Sequence, residues 1–172
     1  MQMPTFETDQ VILRPFTLED AAGLHQVNST PEVMEYIGPV ESSVEKTRQY
    51  LQKGPLADYQ KHGFGRHACL DKTSGEIIGF CGIKYVEQLG DVDIGYRFLP
   101  QYWGKGLATQ TSQIIMDYAK HTLGLKRIIG LALPGNAGSI RVLEKLGLTY
   151  EKDIEYMGDV CKLLSWSPLP RG

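Results

Sequence analysis

Gly104-Lys105-Gly106 places two residues without Cβ around one lysine, just before an amphipathic run that begins at Leu107. Bare backbone can approach a ligand closely. A helix starting at Leu107 leaves the first N–H groups, those of Leu107, Ala108 and Thr109, without intrahelical partners, and together with the helix dipole they favour a phosphate. Lys105 offers either an added positive charge or an ordinary solvated loop lysine. The spacing departs from two better-known nucleotide patterns. No Gly-x-x-x-x-Gly-Lys-Ser/Thr occurs, and Thr109 stands where a dinucleotide fingerprint needs its third glycine. A second polar group, Asn136-Ala-Gly-Ser139, opens another helix, with Ser139 expected as its cap.

These groups need a scaffold that brings them to one edge. Val92, Ile94, Tyr96 and Phe98 alternate as a half-buried strand that Pro100 ends. A helix from about Leu107 to Thr122 follows, then Arg127 to Leu133 as a buried strand, which makes a crossover unit with parallel neighbours. Both loop-to-helix junctions then lie at the same carboxyl edge with a crevice between them. A long cofactor can lay its diphosphate on Gly104 to Thr109 and extend an arm beside the central strand. Asn136 reaches that arm from the other side.

The remaining elements read as support. Thr8 to Arg14 is a first strand, and Thr17 with Asp20 forms a capping box for a helix through about Asn28. Thr30-Pro31 starts a short helix near Val33 to Ile37, and a helix from Ser42 to about Lys53 is bent or stopped by Gly54-Pro55. Phe64 to Leu70 and Glu76 to Val86 are strands. Leu148 to Tyr156 and Val160 to Trp166 close the chain as a hairpin through Met157-Gly158-Asp159. The expected class is α/β (α+β), a mixed sheet of about seven strands with flanking helices, in one domain over 1–172 with a loose tail from Ser167.

Composition narrows the partners. The 172 residues carry 18 Lys plus Arg against 20 Asp plus Glu, a net charge of -2 that gives no reason to expect nucleic acid. No apolar run approaches a membrane span, and the amino terminus lacks a basic patch and apolar core, so no secretory signal is read and a cytoplasmic setting is expected. Cys69, Cys81 and Cys161 are odd in number and flanked by apolar sequence, which reads as buried free thiols. His25, His62, His67 and His121 show no metal-ligand spacing, so no metal is expected.

Ile94-Gly-Tyr96, Pro100-Gln-Tyr-Trp-Gly-Lys-Gly-Leu-Ala-Thr109, and Asn136-Ala-Gly-Ser139 followed by Leu143-Glu-Lys-Leu-Gly147 together resemble the GNAT superfamily of acyl-CoA-dependent N-acyltransferases. Within it they resemble the RimJ/RimL-like branch that acetylates ribosomal proteins, as does the opening Leu13-Arg-Pro-Phe16. The resemblance implies a centrally splayed sheet, acetyl-CoA as co-substrate, and a pantetheine arm pairing with backbone near Phe98 and Leu99. Amides from Gly104 to Thr109 would hold the pyrophosphate. The acceptor would be a primary amine, on a protein N-terminus or a small molecule, and relatives are often homodimers.

Attack of an amine on a thioester needs a proton route, a donor for the developing oxyanion and a way to stabilise the leaving thiolate. The resemblance puts the base at Asp93, the oxyanion donor at a backbone N–H near Phe98, and Ser139 near the cofactor sulfur. Asp93 also reads as a structural carboxylate. Trp103 stands where the wider superfamily has Arg or Gln, a mark of the branch. Leu143 occupies a position that in many relatives holds the tyrosine that protonates the thiolate. Ser139, Tyr102, Tyr150, Tyr156 or water is left to take that part, and a catalytically silent acyl-CoA-binding sensor is the competing reading. Arg66 and His67 are expected on the acceptor side, under a lid around Val33 to Tyr59.

Overall fold

The computed structural model describes residues 3–168. Ser167 and Pro168 have no regular structure, and the rest of the tail expected to be loose lies outside the described residues. Thr8 decides how the chain enters the sheet. Its N–H donates to the Val11 carbonyl at 2.8 Å, and its Oγ1 accepts from the N–H groups of Gln10 and Val11. That turn takes up the start of the expected first strand, Thr8 to Arg14, and leaves room for a further short strand before it. Phe6–Glu7 is a short β1, and Val11–Pro15 is β2, paired antiparallel to it. The sheet therefore has eight strands, one more than the pattern suggested.

The Thr17 N–H donates to Asp20 at 2.8 Å, and Arg14 grips the same carboxylate with both terminal nitrogens. This capping box closes a 3-10 turn that feeds α1, Ala21–Asn28. The short α2 ends early, at Pro31–Met34. Ser43 caps α3, Val44–Lys53, by accepting from Lys46 N–H. Gly54-Pro55 turns the helical path rather than ending it: Pro55, without an N–H, sits at the first position of α4, Pro55–His62.

β3 (Arg66–Asp71), β4 (Ile77–Val86) and β5 (Asp91–Phe98) form the expected antiparallel meander. α5 (Leu107–Asp117) finishes in a π-helical turn through Thr122. β6 (Ile128–Ala132), α6 (Ala137–Lys145), β7 (Thr149–Tyr156) and β8 (Asp159–Trp166) follow. The β7–β8 turn has two residues rather than three, Met157 and Gly158, both with positive φ as a primed hairpin turn requires.

The order across the sheet is β1-β2-β3-β4-β5-β6-β8-β7. Between β5 and β6, the parallel pair, the register rests on one residue pair, Asp93 with Ile129, whereas β6 pairs with β8 from Ile128 to Ala132. Beyond Asp93 the two strands part. One face of the sheet packs Cys81, Ile83, Ile94 and Phe98 against Leu107, Ile115 and Leu143 of α5 and α6. The other packs Ala68 and Phe80 against Phe16, Leu24 and Leu51. Each such side chain fully buried contributes about 1.5–3 kcal/mol relative to exposure. All three cysteines are buried free thiols.

Candidate functional site

The direction of every main-chain group on β5 follows from one bond. Leu99 N–H donates to the Ile78 carbonyl at 2.9 Å, across the Gly79–Phe98 pair. Antiparallel alternation then turns the odd-numbered residues toward β4 and the main chain of Ile94, Tyr96 and Phe98 toward β6. Because β6 has parted, these groups line the gap. The Phe98 carbonyl there accepts the Trp103 indole N–H at 2.7 Å. Leu99 departs from the expectation: its N–H is bonded to Ile78 and its carbonyl to Tyr102 N–H, so the backbone of Tyr96 faces the gap in its stead.

Gly104 and Gly106 have φ of +75° and +77°. A Cβ on Gly104 would meet nothing within 4 Å, and one on Gly106 only Gln110 Nε2 at 3.5 Å. The glycines are therefore there for left-handed backbone and for open ground in front of the bend. Gln110 N–H bonds the Gly106 carbonyl at 3.0 Å as the first helical bond of α5, leaving the N–H groups of Leu107, Ala108 and Thr109 without intrahelical partners. The bend fits a diphosphate. Exposed Lys105 puts Nζ 5.4 Å from the Tyr102 ring centroid, and the Tyr102 hydroxyl donates to Asp71 at 2.9 Å.

Asn136, not Ser139, caps α6, because its Oδ1 accepts the Ser139 N–H at 3.1 Å. An amide side chain on the residue just before the helix reaches the third N–H, which a side chain already inside the helix cannot do. The Ser139 hydroxyl is thereby relieved of capping and stands beside the phenol of Tyr96, whose pKa burial raises and that hydroxyl partly restores. α5 and α6 pack together, so the two loop-to-helix junctions do share one edge.

Leu143 belongs to the core. It is 2% exposed, and a Cβ on Gly130 of β6 would come within 2.6 Å of its Cδ2. Of the tyrosines considered as its stand-in, Tyr102 is bonded to Asp71 and exposed Tyr150 to Asp153. Tyr156 is the one beside Asp93 and Arg66; its pKa is raised by burial and then by the Asp93 charge.

On the helix-lined face opposite α5, register aligns Arg66 of β3 with Gly82 of β4 and Gly95 of β5. The arginine lies across those bare positions: a Cβ on Gly95 would meet its Nη2 at 2.8 Å. Its guanidinium reaches Asp93, Nη2 to Oδ1 at 2.9 Å, with both side chains little exposed. The N–H is not aimed at Oδ1, which is otherwise buried without an aligned donor. The contact is therefore an ion pair rather than an aligned hydrogen bond. His67 is not on this face. Successive strand residues point to opposite sides, and His67 is buried against Phe6 with Nε2 2.9 Å from the Pro4 carbonyl.

The expected lid is tied down at its far end. Tyr59 on α4 donates to the Arg66 carbonyl and accepts the Phe16 N–H at 3.0 Å, and burial raises its pKa. Beside it, Lys53, Asp58, His62, Lys84, Tyr85 and Tyr156 line a cleft of about 350 Å³, crossed by a 2.7 Å Lys84–Asp58 ion pair. Among the described residues no group of three or more His, Cys, Asp or Glu side chains is placed to hold a metal. The pairing role of Arg66 and the positions of Tyr96 and Trp103 were not read from sequence. Glycines at matched positions of adjacent strands, next to an arginine, were the available signal for the first.

Comparison with known proteins agrees with this architecture. The profile of the acetyltransferase (GNAT) domain matches residues 10–149. An uncharacterized N-acetyltransferase, p20, from Bacillus licheniformis is 34% identical, covering 87% of this chain and 84% of that protein. The spermidine N(1)-acetyltransferase of Escherichia coli (strain K12) is 28% identical over 84% of this chain and 75% of that protein. The crystal structure of a ribosomal-protein-S5-alanine acetyltransferase from Vibrio fischeri superposes with a TM-score of 0.80 at 22% identity, covering 96% and 97% of the two chains, a likeness of fold. The chain belongs to the GNAT acetyltransferase family, with that family's mixed α/β fold, and is an N-acetyltransferase.

Proposed function

We propose that this N-acetyltransferase moves an acetyl group from acetyl-CoA to a primary amine by direct attack, within the RimJ/RimL-like branch and in the cytoplasm. Three buried free thiols suit a reducing compartment. The observation that carries the reading is the parting of β5 from β6 beyond Asp93, with the backbone of Tyr96 and Phe98 facing the gap and the open N–H groups of α5 at its mouth.

When bound, acetyl-CoA supplies a thioester carbonyl open to an amine and a thiolate that departs. Leu107, Ala108 and Thr109 bind its diphosphate through main-chain N–H groups, with Gly104 and Gly106 keeping the approach clear. Tyr96 and Phe98 orient the arm by strand-like pairing, and Asn136 offers its NH2 group from across the gap. The Phe98 N–H is the oxyanion donor. Asp93 takes the proton of the amine, directly or through water, and Arg66 keeps its carboxylate in place. The Ser139 hydroxyl, backed by Tyr96, donates a proton toward the sulfur in place of the tyrosine that Leu143 replaces.

The test joins calorimetric titration with coenzyme A to thiol release from acetyl-CoA over a panel of amines and peptides. Micromolar binding of coenzyme A, none of ATP, and amine-dependent thiol are expected. Tight binding without amine-dependent thiol would make the chain a sensor. No uptake of coenzyme A would remove the site altogether.

A further inference from the structure

Arg97 lies on the helix-lined face of β5, paired across the ladder with Phe80 and two residues beyond Gly95. Its guanidinium carbon is 4.9 Å from the Phe80 ring centroid, and Nη1 donates to Asn28 Oδ1 at 2.8 Å. Asn28 is itself 2% exposed. Among the described residues no carboxylate comes within ion-pair distance of Arg97, whereas Arg66 and Lys84 on the same face are paired with Asp93 and Asp58. Burial lowers the Arg97 pKa, Tyr50 and Glu41 act on it from longer range in the opposite sense, and Arg66 adds repulsion. A guanidinium has five donors in a planar fork, and one is engaged here. A desolvated charge left without its counter-ion is costly to the fold unless something outside the chain completes it.

We propose that Arg97 is a recognition residue for the acceptor, taking the carboxylate of an amino-acid-like substrate whose amine reaches the gap lined by the backbone of Tyr96 and Phe98. The inference rests on the acetyl-transfer reading above. Arg97 stands between Tyr96 and Phe98 on β5, so a carboxylate held at its guanidinium keeps the rest of a molecule of amino-acid size close to the gap that their backbone lines. At Arg97 a polyamine would meet a guanidinium with no carboxylate paired to it.

The experiment compares amino acids with their amides and with spermidine, as kcat/KM for thiol release, in the wild type, Arg97→Gln and Arg97→Lys. Arg97→Gln keeps a donor for Asn28, and Arg97→Lys keeps the charge should the first variant fold poorly. Acids are expected to exceed amides by about tenfold or more, the size of a charge-assisted hydrogen bond. In Arg97→Gln the preference should collapse through KM for the acid, with the amide unchanged. Amides or spermidine equal to acids in the wild type would overturn the proposal, as would equal losses for acid and amide in the variant. If no acceptor releases thiol, the transfer reading fails. The anion site is then read separately, as thermal stabilisation of the coenzyme A complex by succinate. Stabilisation confined to the wild type supports the site, and none in the wild type overturns it.

Discussion

Arg66 Nη2 stands 2.9 Å from Asp93 Oδ1 because Gly82 and Gly95 leave the path between them bare. The pair lies beside the point where β5 and β6 last touch, at Asp93 and Ile129. A charged group is thus held at the apex of the gap by an interaction that crosses two strands. Asp93 has both a structural partner and a place at the head of the gap, and mutation separates the two roles.

Asp93→Asn is expected to lower kcat by about 100-fold or more, with the coenzyme A dissociation constant within about twofold of wild type. It should also cost about 3 kcal/mol of stability, since the Arg66 charge loses its counter-ion. Steady-state kinetics, calorimetry and urea unfolding read the three quantities. A destabilised variant with full kcat would leave the carboxylate a purely structural role.

Gly106→Val should weaken coenzyme A binding by about 100-fold while the protein stays folded. Left-handed backbone at φ +77° costs a β-branched residue about 1–2 kcal/mol, and the added methyl groups stand in front of the N–H groups of Leu107 to Thr109. Unchanged affinity by calorimetry would mean that the diphosphate lies elsewhere.

Restoring the family tyrosine by Leu143→Tyr should not raise the rate. Leu143 is buried against Gly130, so the larger ring is expected to destabilise the fold by about 1–3 kcal/mol. Ser139→Ala, by contrast, should lower kcat about tenfold or more with little change in melting temperature, because Asn136 caps the helix. A rate gain in the first variant or none lost in the second would reassign the proton donor.

His67 makes the fold sensitive to mild acid. Burial holds its pKa below the usual 6.5, against the opposing pull of the Pro4 carbonyl. The unfolded chain therefore takes up the proton first, and stability falls as pH drops below 6.5 until the lowered folded pKa is passed, with a slope of at most about 1.4 kcal/mol per pH unit. Urea unfolding at pH 7.5 and pH 5.5 should show the loss in the wild type and a smaller one in His67→Gln. Equal losses in both would place the sensitivity in other groups.

Local chemistry made much of this legible in the sequence. Thr17 with Asp20, Pro31 at a helix start, the Gly54-Pro55 break, the alternation through Phe98 and the Gly104-Lys105-Gly106 bend each act over a few residues, so spacing is enough to place them. The expectation failed where a single side chain redirects its neighbours. Thr8 turned the chain where the first strand was expected to begin, delaying it to Val11, and Asn136 took the cap expected of Ser139.

What the sequence by itself determined is the set of elements and the bend with left-handed glycines and open N–H groups, because backbone conformation and hydrogen-bond parity are local properties. Only the tertiary structure decided which side chains share a face. Strand register put Arg66, Gly82 and Gly95 in one row, sent His67 to the other side, and brought Tyr96 to Ser139. It also left Arg97 opposite Phe80 without a carboxylate. Register is fixed by the packing of whole faces across residues far apart in the chain, and no short stretch of sequence contains it.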